Sequence, residues 1–125
     1  MGGVLMAGTI KADTWLNGDG TENYKCRAWC NFNGEGTVSI RGSGNISSLV
    51  DLQTGGYRLN FINNLVDANY SVVGVGNSGS YYTDTFEADT FTTSYFNAWT
   101  YSRGTSTSGN TTITDLPFIH FAVFR

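Results

Sequence analysis

The sequence predicts an all-β chain, an antiparallel β-sandwich of jelly-roll-like type with an extended N-terminal arm. Three observations predict it. Helical periodicity is nearly absent, and no stretch carries a convincing i, i+3, i+4, i+7 apolar stripe. Apolar and polar residues instead alternate over short runs, as in Cys26, Ala28, Cys30 and Phe32. Glycine, asparagine and aspartate clusters interrupt these runs about every 8–14 residues, the spacing of sandwiches and barrels.

Composition agrees. The chain has 125 residues, enough for one domain with a real core. Gly, Ser, Thr and Asn supply 55 of them, and only 14% are charged. Disorder would need few aromatics and a high net charge, but aromatics reach 14% and the net charge is −3. A basic patch for nucleic acid is absent, since Lys25 and Arg27 stand alone. No apolar run reaches the ~18 residues of a membrane span, so no membrane insertion is expected. The opening ten residues are Gly-rich without a basic start, which is not a secretory pattern. Low charge density suits a protein that lives inside an assembly.

The elements follow in order. Residues 1–24 hold few apolar side chains and the turn cluster Asn17-Gly18-Asp19-Gly20, which reads as an anchoring arm. Residues 25–125 read as the sandwich. Its first strand runs from Cys26 to Asn33, and Asn33 to Gly36 turns the chain. Thr37 to Arg41 follows with Val38 and Ile40 inward, then a turn at Gly42 to Asn45 and a strand from Ile46 to Leu52. Tyr57, Leu59 and Phe61 share one side of the strand from Tyr57 to Ile62. Further strands are expected at Tyr70 to Val75, Ser80 to Phe86 and Thr90 to Tyr101, with a polar loop from Ser102 to Asn110. Phe118 to Phe124 closes the chain and is apolar on both faces, so a subunit contact is expected to cover the second.

Candidate sites are few. His120, the only histidine, has neither a nucleophile nor an orienting group proposed beside it. It reads as a core or interface residue, and no enzyme activity is expected. Asp84, Glu87 and Asp89 match no EF-hand spacing and read as a solvated strand edge, with an ion site or a glycosidase pair the sharper alternatives. Cys26 and Cys30 would sit about 13 Å apart on one strand face, too far to bridge each other. They read as buried small hydrophobes, a cross-subunit disulfide being the alternative. Asn45, Asn69 and Asn110 open N-glycosylation patterns that read as chance matches without a secretory signal. The aromatics between Tyr81 and Tyr101 lie among Thr, Ser, Asn and Asp, a mixture suited to a host-surface glycan. Candidate host contacts are Tyr81, Tyr82 and Tyr101. Candidate subunit contacts are Phe118, His120, Phe121 and Phe124. No cofactor or metal is expected.

Lys11-Ala12-Asp13-Thr14, the run from Arg27 to Arg41 (RAWCNFNGEGTVSIR), Asn45-Ile46-Ser47-Ser48 and the run from Asp67 to Gly74 (DANYSVVG) carry a resemblance. They resemble a domain of tail-fibre and related virion proteins of aquatic bacteriophages, including those of cyanobacteria. The likeness covers roughly residues 9 to 75. Arg27 stands where that pattern has Lys, Cys30 where it has Val, and Trp15 where it has Ile. The resemblance implies a virion structural protein, assembled in the host bacterial cytoplasm as a homotrimer or other homo-oligomer beside other virion proteins. It implies a tail-fibre module that docks by its arm and presents its C-terminal half, host contact falling within residues 76–110. A capsid decoration protein at symmetry axes is the alternative. The family carries no catalytic residues to transfer.

Overall fold

The computed structural model describes residue 8 and residues 15–79, 84–103 and 111–125. Among these the chain forms β1 (Cys26–Asn33), β2 (Ser39–Gly44), β3 (Ile46–Gln53), β4 (Gly56–Phe61), β5 (Ser71–Asn77), β6 (Asp84–Asp89), β7 (Tyr95–Arg103), β8 (Thr111–Ile113) and β9 (Phe118–Phe124), and no helix. One antiparallel sheet has the order β2-β1-β9-β5, and the other β3-β4-β7-β6 with β8 added on β7. The two pack face to face, so the expected all-β sandwich is what forms.

Alternation places the core. Ala28, Cys30 and Phe32 of β1 and Ile119, Phe121 and Val123 of β9 point inward from the first sheet. Tyr57, Leu59 and Phe61 of β4 and Phe96 and Ala98 of β7 meet them from the second. The Phe96 and Phe121 rings join edge to face across the sandwich, with centroids 5.0 Å apart. Phe86 lies parallel to Phe121 at 6.3 Å and over Gly74, where any side chain would collide with it. The Tyr57 hydroxyl reaches Asp115 Oδ1 at 3.0 Å and the Gly34 carbonyl at 3.1 Å, so the phenol is buried without losing its partners. Burial first, then Asp115, push that phenol well above its ordinary range.

The chain changes sheet between β2 and β3 at Asn45, whose φ of 58° is left-handed. Asparagine tolerates that conformation. Its side chain also ties the corner, donating from Nδ2 to the Arg27 and Asn63 carbonyls at 3.0 and 3.1 Å. Its Oδ1 accepts the Asn63 N–H at 2.7 Å.

Three expectations change. Cys26 does not share the inward face, because the register with β9 shifts between Cys26 and Ala28. That bulge sets Cys26 opposite the outward Phe124 and leaves it exposed, while Cys30 stays buried. Ile40 pairs with Phe32 beyond a second bulge, but at the sheet edge, where it remains exposed. The strand expected from Ser80 to Phe86 is described from Asp84 and runs past Phe86 to Asp89, so the acidic cluster is part of β6, residues 80–83 lying outside the described residues.

Of the arm, residues 15–24 are described. They fold back on themselves through a Leu16–Glu22 bridge and a 2.7 Å bond from the Asn23 N–H to the Trp15 carbonyl. The expected arm before residue 15, apart from Gly8, and the expected loop from 104 to 110 lie outside the described residues.

Candidate functional site: the two outer faces

Each sheet has an outward face, and the two differ. On the first, β1 contributes Trp29 and Asn31, β9 contributes Phe118, His120, Ala122 and Phe124, and β5 contributes Ser71, Val73, Val75 and Asn77. Strand register lines these up across the sheet: Trp29 beside Ala122 beside Val73, then Asn31 beside His120 beside Val75. Trp29 is 47% exposed, Phe118 44% and Val73 64%. The Trp29 indole lies over β2, where Gly42 and Gly44 leave it room. At one corner the Arg41 guanidinium sits 4.9 Å from the Phe118 ring centroid and donates to the Pro117 carbonyl at 2.6 Å. No strand position on this face carries a carboxylate.

The structure therefore brings together Phe118, His120 and Phe124 of the four expected subunit contacts. Phe121 is not with them. It is 5% exposed and holds the core, because strand alternation turns it to the opposite face. Trp29, Val73 and Val75 join the group instead. Reading β9 alone could not find them, since their proximity follows from strand order.

The outer face of the second sheet is polar and aromatic. β7 contributes Tyr95, Asn97, Trp99 and Tyr101, β4 contributes Gly56, Arg58 and Asn60, and β6 contributes Thr85, Glu87 and Asp89. Register again sets rows: Gly56 beside Trp99 beside Glu87, and Arg58 beside Asn97 beside Asp89. Arg58 is held twice. Its Nε donates to Asn97 Oδ1 at 3.1 Å, and its Cζ lies 4.3 Å from the Tyr95 ring centroid. The Trp99 ring covers the bare Gly56 backbone, and its Nε1–H, shielded from solvent, has no acceptor among the described residues. Burial first, then the Glu87 carboxylate beside it, push the Tyr101 phenol above its ordinary range. Of the three expected host contacts, Tyr101 lies on this face, while Tyr81 and Tyr82 lie outside the described residues.

A pocket of about 520 Å³ opens where β2 crosses to β3, between Cys26, Arg27, Asn45, residues 63–66 and Arg125. Its polar groups mostly hold the corner together. Arg27 Nε donates to the Arg125 carbonyl at 2.7 Å, and Arg125 Nε donates to Asp67 at 2.9 Å. The Arg125 guanidinium holds the Asp67 carboxyl down at about 2, well below the usual carboxylate range. Among the described residues no three His, Cys, Asp or Glu side chains are grouped to hold a metal ion.

Comparison with protein-family models, with curated proteins and with solved structures found no match.

Proposed function

We propose that this chain is a non-enzymatic structural module of a bacteriophage particle, a tail-fibre module held in several copies. It docks through the N-terminal arm and presents its C-terminal half to the host. One observation carries the reading. The strands of the first sheet put no carboxylate on its outer face, and Trp29, Val73, Val75, Phe118 and Phe124 stand exposed there. Contiguous apolar surface of this kind marks an interaction site. Like meets like on it without repulsion between carboxylates, and the Arg41 cation at its corner is already engaged with Phe118 and Pro117. A second copy of the same face is thus a chemically suitable cover, and the sequence likeness to virion proteins points to repeated copies.

Sedimentation tests the assembly. The purified chain is expected to form a trimer at micromolar concentration, and Val73→Glu to dissociate it by burying a charge without a partner. A soluble wild-type monomer at that concentration overturns the reading. Labelling of intact particles with an antibody against the chain tests location. Label is expected on the tail. Label on the head would favour a decoration protein, and unlabelled particles would sink the virion assignment.

A further inference from the structure

We infer that the outer face of the second sheet is a binding site for a neutral saccharide, with Trp99 as stacking platform and Glu87, Asp89, Asn97 and Arg58 as its hydrogen-bonding groups. This deepens the host-attachment half of the proposed function and rests on it for biological meaning, although the binding can be measured alone.

Saccharide recognition asks for a flat apolar ring against the sugar's C–H face, beside rigid acceptors and donors for its hydroxyls. Trp99 supplies the ring. Because β4 has only Gly56 in that row, no neighbouring side chain rises beside the indole there. Cζ3 is the indole atom nearest the position a Gly56 side chain would take, at 2.5 Å, so the Nε1 edge lies on the far side of the ring from β4. That N–H has no acceptor among the described residues. A donor shielded in this way is as closed to a ligand as to water, so the ring, not the N–H, is what Trp99 offers a sugar.

The surroundings provide the rest. Glu87 is directly across from Trp99 in β6, and Asp89 is across from Asn97 in the next row. Both carboxylates are on exposed residues, and each can accept from a pair of neighbouring hydroxyls. Arg58 is the matching donor. Nε is committed to Asn97 and the plane is stacked on Tyr95, while the two terminal amino groups make no hydrogen bond among the described residues. A guanidinium already fixed in this way loses little freedom when a ligand arrives.

Charge selects the class of saccharide. Two carboxylates against one guanidinium leave the site with net negative charge, which repels sialylated, uronic and phosphorylated glycans. It equally disfavours nucleic acid. Among saccharides, a neutral, hydroxyl-rich chain is the one that meets these groups without charge repulsion. A single site of this size binds weakly, and several copies in one particle raise the strength by simultaneous engagement.

The test uses the full-length purified chain and two panels of oligosaccharides, one of neutral glucans, mannans and galactans, the other of sialylated and uronic chains. Binding is followed by calorimetry and by tryptophan fluorescence. At least one neutral oligosaccharide is expected to bind and to shift the emission. Glu87→Gln and Asp89→Asn are expected to weaken that binding about 10-fold each while leaving the melting temperature in place. These exposed isosteres keep the proposal testable if Trp99→Ala fails to fold. Preference for the acidic panel, binding of a basic peptide instead, indifference to both carboxylate variants, or silence across the neutral panel each overturns it. A monomer that binds neutral glycan refutes the assembly reading and leaves this one standing; a trimer that binds none does the reverse.

Discussion

Trp29 and Trp99 are built alike and placed apart. Each indole lies across backbone that glycine has left bare, Gly42 and Gly44 under the first and Gly56 under the second. The surroundings then diverge. Trp29 stands in a row with Ala122 and Val73, and Trp99 in a row with Glu87, next to the row of Arg58, Asn97 and Asp89. The same local device thus serves two surfaces, one able to exclude water against another apolar face, the other able to exchange water for hydroxyl groups. What decides between them is which residues the neighbouring strands bring alongside.

The largest effect that tests this division lies within one strand. Phe121→Ala should cost ~3–5 kcal/mol in denaturant unfolding, because it empties the space between Phe86 and Phe96. Phe118→Ala, three residues earlier and facing out, should cost under ~1 kcal/mol in solution dilute enough to hold monomers. Equal costs would mean that the outer face is packed within the chain. Next come the glycines. Gly56→Ala presses a methyl group on Trp99, which is half-buried and less exposed than Trp29, and should cost ~1–3 kcal/mol. Gly44→Ala meets the exposed Trp29, whose ring can swing outward, and should cost clearly less. If the order is reversed, Trp29 is the more tightly fixed of the two.

The cysteines sharpen the boundary of the apolar face. Burial pushes the Cys30 thiol up to about 12, while Cys26 lies exposed beyond the bulge. A disulfide reagent at pH 8 should therefore modify one thiol promptly and the second only on unfolding. Two fast thiols would show that the sandwich opens at β1. The smallest effect is at the rim, where Arg125 follows β9. The Asp67 carboxyl is held down at about 2 in the folded chain, against about 3.9 when unfolded. Its ion pair therefore contributes in full above pH ~4 and is lost as pH falls towards 2. Asp67→Asn should flatten melting temperature against pH in that window only, and an unchanged acid limb would show that the pair adds nothing.

Much of the sandwich was legible because alternation is a local property. β1 could be placed residue for residue from Ala28, Cys30 and Phe32, and β4 from Tyr57, Leu59 and Phe61. β9 could be located but not oriented. Phe118, Ile119, Phe121, Val123 and Phe124 are all apolar, and hydropathy does not tell which alternate set meets the core. β6 was legible only as far as Phe86, for the opposite reason. Only Phe86 and Ala88 point inward, and the intervening Glu87 and Asp89 look like a loop. The bulge at Cys26 has no signature in the sequence, because it arises from the register with a strand nearly a hundred residues away. The polar-aromatic face was legible only as composition. That Arg58 would meet Tyr95 and Asn97 depends on β4 lying beside β7, a pairing no single segment announces.

The central position of β9 also sets the order of folding. It lies between β1 and β5, and its pairing joins Cys26 to Phe124 and Ser71 to Phe124. Until residues 118–124 arrive, the first sheet is two separate pieces, the β1–β2 hairpin and a lone β5, each with unpaired backbone edges. The second sheet needs no such wait, since β3–β4 and β6–β7 are hairpins that close locally. The Val- and Trp-bearing strands thus keep open edges until β9 has emerged, exposed to strands of sister chains on the same message. Capture of β9 by a neighbouring copy would satisfy the same hydrogen bonds as capture in place. Close spacing of ribosomes then favours exchange of that strand between chains.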